Sequence, residues 1–383
     1  MEFKSTLCPN AALSFFVAAF LISVATTSFA DSSNLTVRIM AANLTSGNNQ
    51  RYESPGLNIF KGLKPDIVCV QEFNYASTNG LGTSTPAAMR EMIDSTFGTN
   101  FSYFRESGYS IPNGIISRYP IVGSGSWVDS DSGVNDRGFA WAQIHLPGTN
   151  DLFVVSIHIK ASNGSGPPSD ASRRAAEAAE IKDNIRTNFP AGAWIVVGGD
   201  CNTYSQSEAC MTTFTSYLSD QPVPADQNGG INTNAGRNQR YDRVMASFSF
   251  TNTQIPVVIW TNSFTNGLVF DSRVMPYLSD IAPVQPTDSG ATQMQHMGIV
   301  KDFKIIIAST NTVNVPPPFL VMASAGVINW SGVSNVAYTV ETTTDLTATN
   351  WFPLGTATST TTNLSFTNSI ISDPQRFYRV VYP

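Results

Sequence analysis

At 383 residues the chain exceeds the roughly 250–300 over which one hydrophobic core usually grows, so two folded units are expected and a small disulfide-stapled scaffold is excluded. Hydrophobic residues make up 42% and charged residues only 13%, which excludes a largely disordered chain and leaves neutral polar groups to keep it soluble. A formal net charge of −6 supplies no global positive field for nucleic acid or anionic lipid, so a phosphate substrate needs a local cation.

Lys4, the mostly apolar run Ala11–Ala25 and the small-x-small site Ser28-Phe29-Ala30 read as a secretory signal peptide over residues 1–30. The run is shorter than the ~20 residues that span a bilayer, and no later segment reaches that length. The mature chain is therefore expected to be secreted, extracellular or periplasmic. Its charge stays at −6, because one Glu and one Lys leave together.

Further along, Thr36–Ala42 alternates inward and outward positions, Asp66–Gln71 and Trp194–Gly199 are short continuous apolar runs, and Leu152–His158 is strand-like. Such runs suit sheets covered on both faces. Ser172–Phe189 sets Ala178, Ile181, Ile185 and Phe189 at helical spacing ahead of Pro190, which predicts an amphipathic helix. Two sheets face to face with helices outside are expected over residues 31–312. Of the cysteines, Cys8 leaves with the signal and Cys69 sits in an apolar run. Cys201 and Cys210, nine positions apart, are candidates for a short disulfide in an oxidising compartment.

Pro316-Pro317-Pro318 marks a domain break, since three prolines continue neither a helix nor a central strand. Beyond it, residues 316–383 contain no His or Cys, and runs such as Val336–Val340 and Arg376–Val381 read as a small all-β sandwich. This module is expected to attach to a surface, a polysaccharide or a protein partner rather than to catalyse.

Side chains with chemistry fall at strand ends, where sites are usually built: Asn43, Glu72, His158, Asp200 and Asn202. Two of the three histidines, His158 and His296, share such positions, while His145 lies inside a strand-like stretch. The ordered motifs are Ala42-Asn43-Leu44, Pro65-Asp66-Ile67-Val68-Cys69-Val70-Gln71-Glu72, Ile115-Ile116-Ser117-Arg118-Tyr119-Pro120-Ile121, Ser156-Ile157-His158-Ile159-Lys160, Gly199-Asp200-Cys201-Asn202, Arg240-Tyr241-Asp242 and Gln295-His296. Each alone is weak. Together, in this order over residues 37–303, the set resembles the endonuclease/exonuclease/phosphatase superfamily, which includes deoxyribonuclease I.

The resemblance implies an α/β (α+β) four-layer αββα sandwich and divalent-metal-dependent cleavage of phosphoester bonds. Such cleavage needs the phosphate charge offset and a water held in line, which a hard cation on oxygen ligands provides. Glu72 and the Asn43 carbonyl oxygen would hold Mg2+, with Mn2+ or Ca2+ as alternatives. Asp200 would orient or deprotonate the water, and Asn202 would donate to a phosphate oxygen. His296, oriented by Asp242, and His158 would flank the phosphate, with the proton donor to the leaving oxygen left open. Arg137 would contact phosphate. The family places an Asp ahead of the second histidine, but Gln295 stands there, which weakens a second-metal role.

The expected function is a secreted, monomeric, metal-dependent nuclease or broader phosphodiesterase. Rival enzymes are a sphingomyelinase, which would show an exposed apolar hairpin near Ile259-Trp260 or Phe264–Phe270, and a phosphatase of small phosphoesters, which would line its site with basic residues. A catalytically silent binding protein is the rival from another class.

Overall fold

The computed structural model describes residues 33–307, apart from 49, 77–83, 131–134 and 149–150, and residues 320–381, apart from 325–326, 335, 346, 348–349 and 369–375. The signal-type segment and Pro316–Pro318 lie outside the described residues. The chain divides into two compact units, Ser32–Ser309 and one that holds Thr310–Pro383.

In chain order the larger unit runs β1 (Ser33–Ala42), α1 (Ser54–Leu63), β2 (Ile67–Val70), α2 (Pro86–Thr96), β3 (Ser102–Arg105), β4 (Gly114–Ser117), β5 (Ile121–Trp127), β6 (Phe139–Ile144), β7 (Leu152–His158), α3 (Asp170–Asn188) and β8 (Trp194–Asp200). It continues with α4 (Ala209–Thr215), β9 (Leu218–Ser219), β10 (Asp242–Ser247), α5 (Phe248–Thr251), β11 (Gln254–Ile255), β12 (Val257–Ile259), β13 (Asn262–Phe264), β14 (Leu268–Phe270) and β15 (Gly298–Ile307). One sheet has the order β11-β15-β1-β2-β4-β3, with β14 also on β15, and the other the order β5-β6-β7-β8-β10-β9.

Side-chain alternation decides how the layers stack. On β1, Val37, Ile39 and Ala41 face a core shared with Val154, Val196 and Val244 of the other sheet. Met40 and Ala42 face the opposite way, onto Ile59, Phe60 and Leu63 of α1 and Met92 of α2. The second sheet repeats the logic: Val155, Ile157 and Val197 turn outward onto Ala178, Ile181 and Ile185 of α3 and Phe214 of α4. The result is four layers, αββα. The third helix starts two residues before the predicted Ser172, because Ser169 accepts the Ser172 N–H at 3.2 Å and caps it.

Two local features serve the strand ends. Gly199 has φ +142°, and a Cβ there would lie 2.0 Å from the Ile157 carbonyl oxygen, so only glycine lets β8 run this close to β7 just before Asp200. Past β9, buried Asp220 accepts from Arg240 at 2.8 Å through each oxygen and from Arg243 at 2.6 Å. This pairing holds the turn that leads into β10.

Cys201 and Cys210, candidates for a disulfide by their spacing, are free, buried thiols. Both pack as small apolar groups in the core beneath α3 and α4.

In the smaller unit, β16 (Leu320–Ser324), β17 (Val327–Ser331) and β20 (Asn363–Thr367) form one antiparallel sheet, and β18 (Tyr338–Thr343), β19 (Phe352–Ala357) and β21 (Phe377–Val381) another. Ile328, Trp330 and Leu364 of the first pack on Tyr338, Val340 and Val380 of the second, which makes a β-sandwich.

Candidate active site

Strand register builds half of the site. His158 at the end of β7 lies opposite Asp200 at the end of β8, and Asp200 lies opposite Asp242 at the start of β10. The other sheet contributes the second half: Asn43 just past β1, Glu72 just past β2 and His296 just ahead of β15, which runs antiparallel to β1. Gln71 ties the two sheets at this end by donating to Ser156 of β7 at 2.9 Å.

Asp200 Oδ2 is the centre. It lies 3.4 Å from His158 Nε2, from His296 Nε2 and from Asn43 Nδ2. Each distance exceeds a normal charged hydrogen bond, so three donors converge on one oxygen without closing on it. All of these groups are buried, none more than 5% exposed.

Shorter bonds fix each group from behind. Asp242 Oδ2 accepts from His296 Nδ1 at 2.9 Å and from Thr233 Oγ1 at 2.7 Å. Glu72 accepts from Thr45 at 2.6 Å and from Asn43 and Gln50 at 3.2 Å. Asp200 Oδ1 accepts the Asn202 N–H at 2.9 Å. Glu72 and Asn202 sit at φ 51° and 46°, left-handed conformations that non-glycine residues seldom adopt and that concentrate at functional sites. Thr45, Gln50 and Thr233 escape a reading of the sequence, because their type is ordinary and only folding brings them to the carboxylates.

The two histidines are driven to opposite charge states. Burial is the main influence on His158 and pushes it well below its usual value, with Arg137 and His296 adding repulsion. Burial also opposes the charge on His296, but Asp242 and Asp200 outweigh it and raise the group to about 10. Burial raises Asp200 to about 6 against the pull of His296. In metal-free protein at pH 7.5, ring-nitrogen NMR should therefore show His296 protonated at both nitrogens and His158 at one, with His296 keeping its charge until the pH approaches 10. Parallel titration of both near 6.5 would contradict this arrangement.

The model of the endonuclease/exonuclease/phosphatase family matches residues 52–272, more than half of the chain. The chain belongs to that family. Enzymes of the family hydrolyse phosphoester bonds with divalent metals. Among solved structures, an endonuclease/exonuclease/phosphatase protein of Beutenbergia cavernae is similar at 16% identity and TM-score 0.48, over 90% of this chain and 95% of its own. The human Nocturnin catalytic domain with bound sulfate is similar at 12% identity and TM-score 0.47, over 72% and 97%. A humanized Danio rerio TDP2 is similar at 15% identity and TM-score 0.46, over 70% and 98%. No curated protein matches the chain.

In this endonuclease/exonuclease/phosphatase site the structure brings together Asn43, Glu72, His158, Asp200, Asp242 and His296. Asn202 lies beside them at 7% exposure, with its amide nitrogen donating to the Ile159 carbonyl at 3.1 Å and one amide hydrogen left over. Arg137, for which the resemblance implied a phosphate contact, stands directly behind His158. It is buried, its Nε donates to the His158 carbonyl at 2.6 Å and Nη1 pairs with Asp136 at 3.2 Å, so it positions β7. The Gln295 side chain is exposed, and its backbone carbonyl accepts the Ala235 N–H at 2.7 Å.

The donor set fits a hard cation. Asn43 Oδ1 is buried without a hydrogen-bond partner, and Glu72 and Asp200 add carboxylate oxygens, the ligands that Mg2+, Mn2+ and Ca2+ take. Asp200, Asp242 and His296 also offer ligand atoms within 4.8 Å of one another. An ion on His296 would have to displace the proton that its carboxylate neighbours hold there.

Proposed function

We propose that this protein is a secreted, monomeric, divalent-metal-dependent phosphodiesterase of the nuclease type, which cleaves by in-line attack of water. The observation that carries the reading is the convergence of His158 Nε2, His296 Nε2 and Asn43 Nδ2 on Asp200 Oδ2, each at 3.4 Å. Asp200, a carboxylate at neutral pH, accepts a proton from the attacking water. His296 keeps its proton through Asp242 and delivers it to the leaving oxygen, while the neutral His158 turns its single N–H from Asp200 to a phosphate oxygen when substrate binds. A cation held by Asn43 and Glu72 would offset negative charge on the phosphate. Secretion is supported by the Lys4–Ala30 pattern.

A lipid phosphodiester is the second reading, favoured by the β12–β13 hairpin, which leaves Trp260 75% and Val258 51% exposed. Against it, the hairpin is tied through the Val258 carbonyl to Arg38, five residues ahead of Asn43 on β1 and so back from the site. The test is hydrolysis by the mature chain of single-stranded DNA, RNA, duplex DNA, sphingomyelin vesicles and bis(p-nitrophenyl) phosphate with Mg2+ or Mn2+. Nucleic acid and the chromogenic diester should be cleaved, and EDTA should stop the reaction. Preference for the vesicles would favour the lipid reading, and no turnover with any divalent ion would leave a silent binding protein.

A further inference from the structure

Two tyrosines lead from the site to the surface. Tyr241 directly precedes Asp242, and its ring centroid lies 6.0 Å from that of His296. Tyr204, two positions past Asn202, stands 5.6 Å from Tyr241 at an interplanar angle of 56° and is 37% exposed. Neither ring belongs to a core cluster of the described residues.

Their backing is polar and rigid. The guanidinium of Arg174 lies 5.6 Å from the centre of the Tyr204 ring. Arg174 itself is fully buried, donating to Glu208 at 2.7 and 3.2 Å and to the Lys160 and Ser162 carbonyls at 3.1 and 2.7 Å. Glu208 also accepts the Tyr204 N–H at 2.7 Å, so one ion pair with a fully buried arginine fixes both the backbone and one side of an exposed ring. An aromatic surface held in place before binding loses little conformational entropy when another ring stacks on it.

Charge on this part of the molecule points the same way. Arg237 pairs with Asp226 and Asp271, Arg273 with Asp271, and Arg240 and Arg243 with Asp220, so each of these cations is already committed to a carboxylate. Duplex binding draws most of its affinity from cations on two phosphate backbones, and duplex bases are closed to stacking. Single strands present free base faces on which aromatic rings stack.

Resting on the phosphodiesterase reading, we propose that Tyr204 and Tyr241 are the stacking platform for the nucleobase beside the scissile phosphate, and that the substrate is single-stranded nucleic acid. The experiment compares kcat/KM of the mature chain on a short single-stranded oligonucleotide, the same strand with tetrahydrofuran residues in place of its nucleosides, and the duplex. The base-bearing strand should be preferred over the base-free one by roughly 10- to 100-fold. That ratio should collapse towards one in Tyr204→Ala and persist in Tyr204→Phe; being a ratio, it cancels a general loss of active protein. Equal cleavage of base-bearing and base-free strands, or a duplex cut as fast as the single strand, would overturn the platform while leaving the phosphodiesterase reading intact. Cleavage of none of the three would end both.

Discussion

His296→Ala is expected to lower kcat on the best phosphodiester substrate by about 10²–10⁴-fold, the usual cost of removing a proton-transfer group. The reason lies in what surrounds the ring. Asp242 at 2.9 Å and Asp200 at 3.4 Å hold a proton on a group whose burial would otherwise strip it. Asp242→Asn keeps the shape of that partner but removes its charge, so the His296 pKa falls and the high-pH limb of the rate profile should move to lower pH. Replacing His145, whose imidazole is more than half exposed and pairs with Asp151 at 2.8 Å, provides the control for a generic histidine effect. Steady-state rates across pH, with thermal unfolding to confirm that each variant folds, decide the matter. Full turnover by His296→Ala would withdraw the assignment.

Asp220→Ala should cost about 3–5 kcal/mol of stability, because it leaves buried cations without their counter-charge. Arg243 is wholly buried and Arg240 is 5% exposed, and Asp220 bonds to both. Lys301, also buried, is lowered to about 8 by desolvation, with Asp220 the opposing influence. Set against a typical stability of roughly 5–15 kcal/mol, the loss approaches the limit for a folded chain. Urea unfolding measures it. A cost below 1 kcal/mol would mean that water or a neighbour takes over the role of Asp220. Since Arg240 lies two positions ahead of Asp242, a folded Asp220→Ala protein should also lose activity.

Much of this was legible in the sequence because the two periods differ. The strands Thr36–Ala42, Leu152–His158 and Trp194–Gly199 and the third helix follow from alternation, from short apolar runs and from helical spacing, and each is present, with shifts of up to three residues at the ends. Chemical type at strand ends pointed to Asn43, Glu72, His158, Asp200 and His296. What escaped depends on how chains pair. No local pattern says that His158, Asp200 and Asp242 stand in register across three strands, that Thr233 bonds to Asp242, or that Arg137 turns inward to a backbone carbonyl. The cysteines illustrate the same limit: nine positions are compatible with a bridge, and the fold instead places both thiols in a closed core.

The two sheets each supply three of the central side chains, so the reactive geometry straddles a seam of aliphatic residues in which Val37, Ile39 and Ala41 mesh with Val154 and Val196. A misplacement of about 1 Å can cost on the order of 100-fold in rate. Trimming or enlarging one of these aliphatic residues would slide one half of the catalytic apparatus past the other. Turnover can thus be tuned from positions that never meet the substrate, and selection for speed would leave its mark there as readily as at the strand ends.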